Sequence, residues 1–423
     1  MRDVLRKLRH LSTSIGRQHL WMGARNYAWP LLRAVAGLYR RTLARRIRLV
    51  CVVGSYGKTT TAAAVATVLG TSPPPSDNAF SSLALWLLRQ PPWRRYAVFE
   101  AGIDGPGQIA AYGTMLRPDV VVVTSIGSEH HRSLGTLDVT QAEKSRMVEA
   151  LTASGTAILN ADDPRVAAMA ARCAGRVIRF GIDTEADVRA TDVAINWPYG
   201  TRVTLRIGRT ERLVRLRLLG RVMVYPFLAA MSVAQAEGLP LDRAIAALEA
   251  MPPRRGRLQL EPLPGAARLV RDDFKSSIET IDAALDVLSE IPGRRIVVIG
   301  SVSEPPGSQG PIYRRIGTRL AEVASRVVVV SSEFQRYAAG VRAGGLSRSA
   351  LVDVRRDVKG AWEVVRADLR PGDVVLVKGR DTERLDRIGL ALQGHDVRCT
   401  IDFCDLRGVR CEVCPKLETG WIV

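Results

Sequence analysis

A lysine and three threonines, Lys58-Thr59-Thr60-Thr61, stand between a glycine turn and an alanine-rich run in VCVVGSYGKTTTAAAVATVLG, residues 50–70. Val50 to Val53 read as a short buried strand, β-branched and ended by glycine. Gly54, Ser55, Tyr56 and Gly57 then form a tight turn whose backbone N–H groups can face one concavity. A helix opens at Lys58, and a helix N-terminus favours anions, as does a nest of amides. Lys58 supplies a point charge for outer phosphates, and the Thr59 hydroxyl is placed for Mg²⁺. The spacing is G-x-x-G-K-T, shorter than the general G-x-x-x-x-G-K-[ST], because Val52 stands where the first glycine would be. The full order of strand, glycines, Lys-Thr and helix argues against an ordinary turn. The loop is expected to hold the phosphates of ATP or GTP.

Three more groups lie downstream. Glu100 ends YAVFE, His130 follows VVVVTSIGSE, and Lys144 sits in TQAEKSRMVEAL, on a helix. Mg²⁺ on a triphosphate needs hard oxygen ligands and keeps some water. Glu100 can be one such ligand, and His130 could bind a second metal. Taken singly these are weak signals, since strand-end glutamates and helix lysines commonly face solvent. Near the end, Cys399, Cys404, Cys411 and Cys414 give C-x4-C-x6-C-x2-C, with His395 close by. Four thiolates can complete a tetrahedral zinc site. An iron–sulfur cluster or redox pair is a second reading, and unrelated reduced thiols are a third.

The elements that must position these groups alternate between strands and helices from 49 to about 180. RYAVFEAG, PDVVVVTSIG and GTAILNADD read as strands that run into polar turns. The class is α/β: a central P-loop-type domain with a mainly parallel sheet, where ligands gather at the carboxyl ends of strands, followed by a smaller Rossmann-like α/β domain. Residues 185–218 look like short antiparallel strands, and helices are expected at 226–237 and 241–250. MPPRRGRLQL breaks the chain, so a boundary is placed near 253. Strands of the second unit are expected at 267–271, 295–299, 326–331 and 373–377. The expected division is a basic arm at 1–48, a central domain at 49–253, a second domain at 254–392 and a cysteine-bearing tail at 393–423.

The 423 residues carry a formal charge of +19. Residues 1–48 hold twelve Lys or Arg and one acid. In the arm, Val4, Leu5, Leu8 and Leu11 fall at helical spacing among basic residues, and Trp21, Tyr27 and Trp29 follow. Amphipathic basic helices with interfacial aromatics can lie on anionic membranes. The alternative is an arm packed on its own protein with a solvated basic face. No nucleic-acid motif accompanies the charge, so no nucleic-acid partner is expected. No apolar run is long enough to predict a membrane span, and no signal peptide is evident.

Together these stretches resemble the Mur ligase family, ATP-dependent amide ligases of peptidoglycan precursor synthesis, and are most similar to the D-alanyl-D-alanine-adding members. GSYGKTTT resembles the family's nucleotide loop. EAGIDGPGQI resembles its Glu-(Met/Ala)-Gly turn and implies Glu100 as a magnesium ligand. PDVVVVTSIGSEHHRSLGT resembles the segment whose histidine binds a second magnesium, here His130. AEKSRMVEAL resembles the segment whose lysine is carbamylated in many members, here Lys144. LNADDPRV resembles an Asn-x-Asp-Asp element read as structural. RRGRLQL implies Arg257 as a phosphate contact, and VRDDFKSSIETIDAAL implies Asp272 at the nucleotide ribose. VLVKGRDTERLDRI, with Lys275, implies Lys275, Lys378 and Arg380 near the amine substrate.

Some positions depart from the family pattern. MVYPFLAAMSVAQAEG stands where the family has its His-Asn pair and a further Asn, and Lys275, Ser277 and Ile278 replace Asn, Asn and Pro. Only 48 residues precede the nucleotide domain, so the domain that holds the UDP-sugar precursor is expected to be missing, and a uridine substrate is not implied. The short basic lead resembles the layout of poly-γ-glutamate synthetases.

The resemblance implies that ATP phosphorylates a carboxylate to an acyl phosphate, which an amine then attacks, giving an amide, ADP and phosphate. Closure of the second α/β domain on the first would keep water from the acyl phosphate. The small-molecule substrates are expected to be acidic, given the charge. The setting is expected to be cytoplasmic, at the inner membrane face if the arm binds lipid. Two other functions stay open: a polymerising ligase building a γ-linked chain, and a non-catalytic ATP-binding subunit that supports a partner enzyme.

Overall fold

The computed structural model describes residues 14–75, 77–129, 131–404, 406 and 409–420. They fall into two compact units. The first runs to Ala194 and adds Arg202–Arg217 and Met223–Met251; the second takes Ile195–Thr201, Leu218–Val222 and the chain from Pro252 on. The expected helical residues Val4, Leu5, Leu8 and Leu11 lie outside the described residues, as does His130.

The first unit opens with two helices, α1 (Ser14–Tyr27) and α2 (Trp29–Arg41). Strand β1 (Arg48–Val53) leads into α3 (Lys58–Val68) and α4 (Ser81–Leu88). Then come β2 (Tyr96–Glu100), α5 (Gln108–Leu116), β3 (Val120–Val123), α6 (Leu137–Glu149) and β4 (Thr156–Asn160). Strands β5 (Arg176–Gly181), β6 (Val188–Asn196), β7 (Gly200–Ile207) and β8 (Thr210–Leu216) follow. Helices α7 (Val224–Ala236) and α8 (Leu241–Ala250) close the unit.

The sheet order is β2-β1-β3-β4-β5-β6-β7-β8. Pairing is parallel from β2 through β6. The loops joining β6, β7 and β8 are too short for parallel crossovers, so these strands meander. Strands β1 to β4 are buried almost throughout, which is why they read as apolar runs without alternation. Because β1 has β2 on one side and β3 on the other, the strand order reverses there. The carboxyl end of β1 therefore opens the crevice where ligands bind in such sheets.

In the arm, one face of the helices packs on the protein itself. Arg40 is buried and donates to the carbonyls of Leu116, Ala44, Ile47 and Arg117 at 2.7–3.2 Å, and to Asp119 at 2.9 Å. Burial lowers its pKa, and Asp119 opposes that shift. Trp29 packs edge-on against Phe80 and Tyr112. The opposite side of α1 and α2 leaves Tyr27, Leu31, Val35 and Leu38 exposed.

The second unit has β9 (Gln259–Pro262), β10 (Arg268–Asp272), α9 (Ile278–Glu290), β11 (Arg295–Ile299), α10 (Gln309–Val323) and β12 (Arg326–Val329). It continues with α11 (Phe334–Ala343), β13 (Leu351–Asp353), α12 (Val358–Asp368), β14 (Val374–Lys378) and α13 (Asp386–Leu392). The order is β13-β12-β11-β14-β10-β9, parallel except for β9 against β10. Strands β5, β9 and β13 went unpredicted: each shows polar or mixed residues that hide a short strand until its neighbour is known. Among the described residues no helix is long and apolar enough to cross a membrane.

Candidate active site

The glycine turn sits at the crevice of the first sheet. Gly54 has φ 150°, and a Cβ there would stand 1.9 Å from Thr124 Oγ1, so only glycine lets the turn pass the end of β3. The turn is held from the β3 side. Ser55 N donates to Ser125 O at 2.8 Å, Tyr56 N to Ser125 Oγ at 3.0 Å, and Thr124 Oγ1 to Tyr56 O at 2.6 Å. Asn160 ties the end of β4 to the same loop by donating to Thr124 O. Gly57 caps α3 in the left-handed region, so the first-turn amides of Lys58, Thr59 and Thr60 have no intrahelical acceptor and present positive potential.

Lys58 is buried, with Nζ donating to Ser55 O at 2.8 Å and pairing with Glu129 at 3.1 Å. Thr59 Oγ1 donates to Glu100 Oε1 at 3.2 Å. Glu100 is only 3% exposed and also accepts from Asn78 Nδ2 at 2.6 Å. Among the described residues no basic side chain pairs with it. A dry carboxylate held by a hydroxyl and an amide, with no counter-cation, is the donor set that suits a hard divalent ion.

Lys144 lies on α6 with its Nζ buried and donating to Ser55 Oγ at 2.7 Å. Ser55 in turn bonds Gly127 through both N–H acceptance and O–H donation. The structure thus brings Lys58, Thr59, Glu100 and Lys144 to one side of the crevice, linked through Ser55, Glu129 and Asn78. Sequence reading had missed Glu129 and Asn78. Asn78 follows SPPPSD, which reads as a plain loop; the only trace of it is Gly102, where a Cβ would meet Asn78 Oδ1 at 2.3 Å.

The Asp-Asp pair of LNADDPRV is structural. Asp162 accepts from the amides of Ile182, Asp183 and Thr184 and from Tyr225 Oη, while Asp163 caps a helical turn and accepts from Ile126 N. The departure segment at 223–238 forms α7, most of it buried in the first unit.

The charged residues singled out in the second unit have other partners. Asp272 is buried; its Oδ1 accepts from Leu258 N at 3.2 Å and its Oδ2 pairs with Lys378 at 2.8 Å. Lys378 is 1% exposed and also donates to Lys275 O and Thr280 Oγ1. Burial lowers its pKa against the pull of Asp272. Its position gives it a structural ion pair, and its ammonium is spent inside the unit. Lys275 lies half-buried beside it. Arg257 stacks on Phe274 with its guanidinium carbon 4.5 Å from the ring centroid, and Arg380 pairs with Glu383 at 3.5 Å.

The cysteine tail is corrected. Among the described residues no three His, Cys, Asp or Glu side chains form a group able to hold a metal ion. Each thiol has its own surroundings instead. Cys399 accepts a weak bond from Arg387, Cys411 is buried with its N–H on Asp386, and Cys404 N donates to Thr382 O. Arginines do what the metal was expected to do: Arg387 bonds the carbonyls of Cys399 and Ile401, Arg384 that of Leu406, and Arg271 pairs with Glu412 at 2.8 Å.

Residues 52–234 match the Mur ligase middle domain, and residues 256–380 match the Mur ligase glutamate ligase domain. The UDP-N-acetylmuramoyl-tripeptide–D-alanyl-D-alanine ligase of Mycobacterium tuberculosis is 30% identical over 391 residues, spanning 86% of this chain and 77% of that protein. The enzyme of the same name from Escherichia coli is 27% identical over 356 residues, spanning 82% and 77%. Among solved structures, the MurF ligase of Thermotoga maritima in complex with ADP superposes with a TM-score of 0.77 at 22% identity, covering 86% of this chain and 83% of that one. MurF from Acinetobacter baumannii gives 0.76 at 23%, covering 86% and 81%. The chain belongs to the Mur ligase family, the ATP-dependent ligases that join a carboxylate to an amine.

Proposed function

We propose that this ligase joins an amino acid or short peptide, of the D-alanyl-D-alanine kind named for its relatives, to an acidic peptide-like carboxylate. The carrying observation is the cluster at the end of β1: Lys58 beside a first-turn amide nest, with Thr59 and Glu100, which has no basic partner among the described residues, next to it. The triphosphate would lie on the amides of 54–60, and Lys58 would leave Glu129 for the outer phosphates. Thr59 and Glu100 would hold Mg²⁺, with Asn78 fixing the carboxylate, and the ion would offset phosphate charge. His130 and Lys144 remain assigned to a second magnesium. As an ammonium Lys144 can only donate, so this role needs its carbamate, an acceptor. The substrate carboxylate oxygen attacks the γ-phosphorus and ADP leaves. The amine nitrogen then attacks the acyl carbon, phosphate leaves, and the amide forms. Phosphoryl transfer of this kind depends on positioning and charge. Arg257 keeps its phosphate role and Lys275 and Arg380 line the amine end, while Asp272 and Lys378 hold their strand ends through their mutual ion pair. The net charge of +19 favours acidic substrates. The reaction is set in the cytoplasm, with the basic arm at the inner membrane face.

The test is incubation with ATP, Mg²⁺, D-alanyl-D-alanine and amino-acid pools, and carboxylate acceptors, followed by mass spectrometry. ADP, phosphate and one new amide are expected. AMP with pyrophosphate would sink the acyl-phosphate reading. A ladder of products would make the enzyme a polymerising ligase, and ATP binding without turnover would make it a supporting subunit.

A further inference from the structure

Helices α1 and α2 carry one continuous exposed strip. Leu20, Trp21, Tyr27, Leu31, Val35 and Leu38 recur at helical spacing and are between 46% and 92% exposed. Exposed arginines 17, 33, 41, 45 and 46 border it, and no Asp or Glu occurs anywhere from residue 4 to 76. An apolar strip set among the arm's own arginines fits the headgroup boundary of an anionic bilayer: the strip enters it and the guanidinium groups meet lipid phosphates. The same strip of a second copy is a poorer occupant, because residues 4–76 would bring the same arginines and no carboxylate of their own to offset them.

The other side of these helices grips residues 77–82. Arg25 donates to Ser82 Oγ and lies 3.7 Å from the Asp77 carboxylate. Asn26 Oδ1 accepts from Ser81 Oγ at 3.4 Å, and Trp29 stands edge-on to Phe80 at 6.0 Å. Asn78, in the middle of that segment, donates to Glu100 at 2.6 Å. One helical arm therefore faces outward with its apolar strip and inward onto the segment that orients the proposed magnesium ligand.

We propose that α1 and α2 seat the ligase on an anionic membrane surface and that this seating firms the hold on residues 77–82, so that Mg-ATP binds more tightly at the membrane. The second half rests on the magnesium reading of Glu100; the first does not. The full chain is sedimented with phosphatidylglycerol-containing vesicles and with pure phosphatidylcholine vesicles, and Mg-ATP affinity is measured on each. Binding to the anionic vesicles only, weakening with salt, is expected. Leu31→Glu/Leu38→Glu should lose that binding while keeping the intact chain's off-membrane Mg-ATP affinity, which shows that it is folded. On anionic vesicles the intact chain should bind Mg-ATP about fivefold more tightly, the lower end of ordinary coupling between sites, and Arg25→Ala should bind vesicles without that gain. No sedimentation of the full chain, equal sedimentation of the double variant, or a dimer that the double variant dissolves would each overturn the seat. Vesicle binding with unchanged nucleotide affinity would overturn the coupling. Absence of any Mg-ATP binding would fail the nucleotide reading alone, since sedimentation scores the seat without it.

Discussion

The two units place charged residues at the carboxyl ends of parallel strands in opposite ways. At the end of β1 and β2, Glu100 has only neutral partners among the described residues, and Lys58 pairs with Glu129 beside the glycine turn. At the end of β10 and β14, Asp272 and Lys378 neutralise each other in the dry interior, and the adjoining Arg271 is shared by Asp273, Glu261 and Glu412. The same residue types, at equivalent ends of similar sheets, leave charge for a ligand in one unit and consume it in the other. The partner of a charged side chain carries the functional information that its type and position alone do not.

That contrast can be broken in graded ways. The largest effect is expected from Lys378→Met, which strands the buried Asp272 and should cost about 3–5 kcal/mol of stability, read by denaturant unfolding. Replacing both, Asp272→Leu with Lys378→Met, should restore much of it; a stable but inactive Lys378→Met would return Lys378 to substrate binding. Lys58→Ala should behave in the opposite sense, keeping stability while turnover falls about 10²–10³-fold. A Lys58→Ala chain that melts early with normal turnover would erase the distinction between the units.

Asn78→Ala should weaken the apparent magnesium dependence about tenfold, the low end for a residue that orients a ligand. Unchanged magnesium titration would remove Asn78 from the site. In the second unit, burial pushes the Asp273 carboxyl up to about 7, with Asp386 and Asp272 adding to the shift and Arg271 opposing it. Its unfolded value is about 3.9, so the folded chain holds the extra proton between these two values. Stability from this group is full below that window and is lost as pH rises through about 7. Asp273→Asn should flatten the stability profile across that window; an unchanged slope would show that another group sets it. The smallest effect is expected from chelation: with the tail braced by arginines, EDTA should leave the melting temperature in place, and a fall of several degrees would reinstate a metal.

Much of this was legible in the residues. Four buried parallel strands read directly as apolar runs, because a strand covered on both faces has no polar register to keep. The phosphate loop read directly because its chemistry is local: glycines, Lys58 and Thr59 act within six residues of one another. The tail misled, since C-x2-C spacing says that two thiols can meet and says nothing of competing arginines 12 to 22 residues upstream in the chain, such as Arg387 and Arg384.

The sequence by itself determined the α/β class, the nucleotide turn and the acid-poor amphipathic arm, since each depends on periodicity or on neighbours a few residues apart. Tertiary structure alone decided which charges remained available. Asn78 reaches Glu100 across 22 residues, Lys144 reaches Ser55 across 89, and Lys378 reaches Asp272 across 106. Whether a buried ion is paired or left waiting is a Coulombic matter settled within a few ångströms, and chain order does not encode those distances.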